Sequence, residues 1–131
     1  MSETTIIPIQ KANEPKAAKL NLIFILVSSQ LKAFGKAFAR TNKPISNWLI
    51  WAGTVIEAYC FGYSVPQEPA SIDPFNSPIP DAWRLRFEII GYQVESLGVA
   101  LGMLDANDIG NDDAVAAILI RIASVLKALA V

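Results

Sequence analysis

Hydrophobic and polar positions follow a helical period along most of the chain, most clearly from Asp81 to Leu104. Two apolar rows run through that stretch. Trp83, Phe87, Ile90, Val94, Leu97, Leu101 and Leu104 step by fours and threes, and so do Leu85, Ile89, Tyr92, Ser96, Val99 and Met103. At about 100° per residue the rows lie on well-separated faces of one helix. Arg84, Glu88, Gly91, Glu95, Gly98 and Gly102 form a third row between them. A helix that is apolar on two sides needs partners on two sides. The first row is assigned to the chain's own core. In the second, Leu85, Ile89, Tyr92, Val99 and Met103 are the expected partner interface wherever the other helices leave them uncovered.

The same period predicts three more helices. Helix one runs from about Lys16 to Arg40, opened by Pro15, whose missing N–H costs nothing in a first turn. Its stripe is Leu20, Phe24, Val27, Leu31, Phe34 and Phe38, expected to be widened by Leu22, Leu26, Ala33 and Ala37. Thr41 to Pro44 forms a tight connection into helix two, about Pro44 to Tyr63, the most apolar segment. After helix three, Asn111 is a suitable N-cap for helix four, about Asp112 to Ala130, with Asp112 and Asp113 favoured by the dipole in its first turn. Its inward row is Val115, Ile118, Ile122, Val125 and Leu129.

Between helices two and three, residues 64–80 hold five prolines in seventeen positions, which disfavours regular structure and stiffens the chain toward an extended form. At about 3 Å per extended residue the segment is long enough to cross a whole bundle. An up-down-up-down order is therefore not required. Ile72, Phe75 and Ile79 are expected to pin it to the bundle. Residues 1–14 have no sustained period and read as a flexible arm. The expected organisation is all-α: residues 15–131 form a single four-helix-bundle domain, with the proline-rich segment as a candidate crossover.

The glycine row changes the reading of helix three. Gly98 and Gly102 form GxxxG, and Gly91 lies one heptad earlier. Each glycine costs a helix about 1 kcal/mol against alanine, so Gly91, Gly98 and Gly102 are expected to be a close-packing face where another backbone approaches. Glu95 shares the row and calls for water or a basic partner, such as Arg84 of a neighbouring copy.

Composition sharpens the function classes. The chain has 131 residues, 53% of them hydrophobic and 18% charged, which suits a highly buried bundle or an oligomer. Its longest uncharged runs fall short of the roughly 18 residues of a membrane span. The first apolar run follows a polar, acid-containing leader, so no secretory signal is expected. One cysteine, Cys60, fits a reducing compartment, and a cytoplasmic location is expected.

Residues 1–43 carry seven basic and two acidic side chains, whereas residues 44–113 carry two basic and ten acidic ones. The plain reading is complementary faces inside one bundle. The sharper one is a nucleic-acid-binding surface made of Lys32, Lys36, Arg40 and Lys43 on helix one.

Candidate chemistry is sparse. No histidine is present, so the commonest general base and metal ligand is missing, and no Glu-x-x-His pair exists for a carboxylate-bridged metal site. Asp105, Asn107, Gly110 and Asp113 match part of a calcium loop, but Ile109 and Ala116 stand where required ligands belong. No metal or cofactor site is expected. Cys60 lacks a histidine partner and reads as a structural thiol. Glu57 with Glu88 or Glu95 is a weak candidate acidic pair, and Trp48, Trp51 and Trp83 read as core or interface rather than as a ligand pocket.

The expected function is a non-catalytic helical interaction module, a homo-oligomer or small accessory subunit of a larger assembly. The alternatives are a nucleic-acid-binding accessory protein and a binder of a small apolar or lipid ligand between helices two and three.

Overall fold

The computed structural model describes residues 14–70, 72–77, 79–105 and 112–131. Residues 1–13, and so nearly all of the expected arm, lie outside these. So do Asn111, the expected cap, and most of the calcium-like stretch. Among the described residues four helices are present: α1 (Glu14–Ala37), α2 (Lys43–Phe61), α3 (Asp81–Asp105) and α4 (Asp112–Leu129). The all-α four-helix arrangement expected from the periodicity is what the chain forms, and no strand occurs among the described residues. The first helix starts at Glu14, one residue inside the expected arm, and gives way to a turn at Phe38, before the expected Arg40.

Local chemistry sets the ends of α2. Asn42 is its N-cap, and its side-chain oxygen accepts the Ile45 backbone N–H at 3.2 Å, which satisfies one of the free donors of the first turn. At the other end Gly62 takes a left-handed conformation, φ 75°. Its N–H donates to the Tyr59 carbonyl, and the Tyr63 N–H donates to Ala58 at 2.8 Å, a paired C-terminal closure. The helix therefore stops before Tyr63, two residues earlier than its apolar pattern suggests.

Two antiparallel hairpins build the molecule. In the first, the Phe24 ring lies 5.5 Å from Tyr59 of α2, the Lys32 ammonium lies 2.6 Å from Glu57, and Gly35 lies against Ile50, so the two sequences run in opposite directions. In the second, Gly91 of α3 abuts Lys127 of α4, and Gly98 abuts Ile120. The hairpins meet through α1 and α3. There Phe34 and Phe38 pack on Trp83 and Phe87, with ring centroids 5.0–5.9 Å apart. The end of α1 thus meets the start of α3.

That contact decides the topology. Because α3 begins where α1 ends, the chain must travel back along the whole of α2 before α3 can start. The proline-rich segment makes this return. Trp51 Nε1 donates to the Pro66 carbonyl at 3.0 Å, and Trp48 Nε1, one turn earlier in α2, donates to the Glu68 carboxylate at 3.0 Å. Arg121 of α4 forms an ion pair with the same carboxylate. A short 3-10 turn at Pro74–Asn76, not expected from five prolines, then touches α4. Ile79 is buried and Ile72 packs against the core. The helix order is up-down-down-up, with a crossover.

The core runs through all four helices. Leu31, Trp48, Leu49, Ile56, Phe87, Ile90, Leu101, Leu119, Ile122 and Leu126 are fully buried. The stripe of α1 is narrower than expected: Leu22, Leu26, Ala33 and Ala37 do not widen it and are exposed. Around a helical wheel they centre about 150° from Phe24, Val27 and Leu31, beyond the reach of a core on one side. In α4, Leu119 and Leu126 join the expected inward residues, while Ile118 and Val125 are only partly covered.

Candidate partner-binding face

The two rows of α3 part company in the structure. Phe87, Ile90, Val94, Leu97 and Leu101 are buried. Leu85, Ile89, Tyr92, Val99 and Met103 all face outward, each at least half exposed, from 50% at Ile89 to 71% at Met103. The cause is angular. Packing with α4 uses the glycine side of α3, packing with α1 uses Trp83 and Phe87, and both neighbours lie on the same half of the helix. Neither reaches the opposite half. Ser96 continues the outer row and is also exposed.

Gly91 and Gly98 let α4 come close. A Cβ at Gly98 would stand 2.9 Å from Ile120 Cδ1 and 3.2 Å from the Ala116 carbonyl, and one at Gly91 would stand 2.8 Å from Lys127 Cγ. Gly102 departs from expectation: it is exposed, and no described atom lies within 4 Å of the Cβ it could carry. Among the described atoms it takes no part in the close approach. Two glycines outside the expected row do the same work in the first hairpin. Cβ atoms at Gly35 and Gly53 would come within 2.9 Å of the Ser46 carbonyl and 2.8 Å of the Ser28 carbonyl, respectively. At that crossing the Ser28 hydroxyl donates to the Gly53 carbonyl at 2.7 Å.

Glu95, Glu57 and Lys32 find partners within their own hairpins. Glu95 pairs with Lys127 at 2.9 Å, so the partner anticipated from a neighbouring copy is supplied by α4 of the same chain. Lys127 Nζ also lies 4.7 Å from the centre of the Tyr92 ring. Glu57 pairs with Lys32, which leaves no acidic pair with Glu95. Of the four cations proposed for nucleic acid, Lys32 is thereby engaged, while Lys36, Arg40 and Lys43 are exposed around the turn from α1 to α2. The aromatic junction brings two more cations to this end. The Arg86 guanidinium lies 4.9 Å from the Trp83 ring, and Arg84 binds Asp81 and the Val131 carbonyl.

The remaining candidates are accounted for by packing. Trp48 and Trp51 are buried and donate to the crossover, whereas Trp83 belongs to the α1–α3 junction, so the three indoles do not converge on one pocket. Burial, followed by the nearby Glu57 charge, pushes the Cys60 thiol up to about 11, which keeps it protonated at neutral pH. A second exposed apolar patch was missed in sequence: Leu22, Ile23, Ile25 and Leu26 of α1. The angular offset of Leu22 and Leu26 from the Phe24–Leu31 stripe is the signal that could have found it.

Among the described residues no cluster of histidine, cysteine, aspartate or glutamate could hold a metal ion, and no helix is long and apolar enough to cross a membrane. Comparison of the chain with protein-family models finds no match, and the same holds for comparison with curated proteins and with solved structures.

Proposed function

We propose that this chain is a non-catalytic helical interaction module that binds another protein surface through the outer face of α3. One observation carries this reading: five large apolar side chains stand in line on one helix, each at least half exposed. Scattered exposed apolar residues are ordinary, but a contiguous row about 27 Å long is the kind of surface that a partner covers. The glycine seam and the Glu95–Lys127 pair hold α3 rigidly against α4, so the row is presented on a preformed support. Such a module works as a homo-oligomer or as a small accessory subunit of a larger assembly.

Replacing Ile89 and Val99 together by glutamate tests it. The wild type is expected to bind an apolar fluorescent dye or to associate in solution, and the double variant to lose both while keeping its helical circular dichroism. A wild-type protein that does neither would overturn the reading.

A second reading is favoured by the basic end of the bundle, where Arg84 and Arg86 join Lys36, Arg40 and Lys43. Nucleic-acid binding there is salt-dependent and is lost when Lys36, Arg40 and Lys43 are reversed to glutamate. Absence of binding at low salt removes it. The apolar-ligand alternative has less support, since the hairpins join through α1 and α3 rather than through α2 and α3.

A further inference from the structure

The outer row of α3 has a finer order than exposure alone requires. Leu85, Ile89, Tyr92, Ser96, Val99 and Met103 alternate steps of four and three without a break. An ordinary core-facing stripe is wider and takes in a third position per heptad. A strict two-position seam is the pattern by which one helix packs along another. Here both flanks of the seam are polar or small: Arg86, Gln93 and Ala100 on one side, Glu88, Glu95 and Gly102 on the other. Apart from Ser96 the seam is apolar over its whole length.

We infer that the occupant of this face is a second copy of the same chain, its α3 antiparallel to the first across a two-fold axis level with Val94. This rests on the reading of the face as a partner surface and adds the identity and register of the partner. Size complementarity is the first argument. In the antiparallel register Leu85 meets the partner's Met103, Ile89 meets the partner's Val99, and Tyr92 meets the partner's Ser96. The largest residue of the seam is thus set over the smallest, twice by symmetry. A parallel pair would instead stack Tyr92 on its own copy and leave the Ser96 layer empty, a poor match for close packing.

Charge permits this register: antiparallel pairing lays the Arg86 flank over the neutral Ala100 flank of the other copy. Glu95, near the axis, meets its own counterpart, but each is already paired with Lys127. Area is the third argument. The five exposed apolar side chains present on the order of 500 Å² per copy. Counted over both copies this is about 1,000 Å², the lower end of a specific interface.

The test uses the full chain with Cys60 replaced by alanine, carrying either Leu85→Cys or Met103→Cys. Light scattering is expected to give twice the chain mass for the parent, falling to the chain mass in Ile89→Glu/Val99→Glu. On mild oxidation, a mixture of the two cysteine variants is expected to form a disulfide-linked dimer, and Leu85→Cys alone is not. A Leu85→Cys dimer linked to itself overturns the antiparallel register. A protein that stays at the chain mass at high concentration overturns self-pairing. In that case dye binding that is lost in the double glutamate variant leaves the face open for a different protein, and absence of dye binding removes the partner face as well.

Discussion

Gly53 and Gly102 lie in helices, have the same side chain and call for opposite expectations. At Gly53 a methyl group would meet the Ser28 carbonyl and the Lys32 side chain, both at 2.8 Å. Backbone cannot move aside cheaply, so Gly53→Ala is expected to destabilise the fold by about 1–3 kcal/mol in urea unfolding. Gly102→Ala meets nothing described and should stabilise by up to about 1 kcal/mol through helix propensity. Equal losses at both positions would refute the assignment of the close approach to one and not the other. Cys60 gives a further test at this scale. With its thiol raised from 9.0 to about 11, the folded protein should hold about 100-fold less thiolate near pH 8 than the unfolded chain. Alkylation is expected to be slow in buffer and fast in urea. The sign for stability follows: the contribution is present below pH 9 and lost as pH rises through about 11.

Among the elements, the crossover depends most on one side chain. Glu68 accepts from the buried Trp48 indole with one oxygen and pairs with Arg121 through the other, tying the segment to α2 and α4 together. Glu68→Ala leaves the indole N–H without its partner and should cost about 1–3 kcal/mol. Glu68→Gln keeps an oxygen for Trp48, loses the charge toward Arg121, and should cost less. Unfolding midpoints in urea rank the two variants, and the reverse order would show that the ion pair dominates. Little of this was visible beforehand. Five prolines in seventeen residues announce an extended, stiff segment, but no local rule says that a glutamate in it will reach two helices. At the ends of α2 the apolar pattern ran on to Tyr63, and Asn42 and Gly62, residue types that cap and close helices, set the limits instead.

At the scale of the whole molecule a small aromatic junction joins the two hairpins, beside the shared core and the Glu68 crossover contact. Phe87 is completely buried and contacts Phe34, Phe38 and Trp83. Phe87→Ala is expected to cost about 3–5 kcal/mol, a large part of the stability of a domain this size. Because the loss falls between hairpins rather than within one, unfolding followed by tryptophan fluorescence and by circular dichroism should cease to coincide. Coincident transitions would mean that the hairpins do not hold together independently. The same junction brings Arg84 and Arg86 to the end of the bundle where α1 turns into α2, a placement that no stretch of sequence contains.

The spacing of apolar residues determined four helices, their approximate limits and the two-sided character of α3, because helical periodicity is a local property of the chain. Glycine in a helix interior carries a cost that close packing offsets, which marked Gly91, Gly98 and Gly102 alike, and only the first two are closely packed. Whether the second row of α3 would be covered, whether Leu22 and Leu26 would join the core, and which cation would meet Glu95 all depended on where the neighbouring helices came to lie. That was settled when α3 started beside the end of α1 and the proline-rich segment was drawn back along α2. A residue's periodicity fixes its direction from the helix axis, and only tertiary packing decides what stands there.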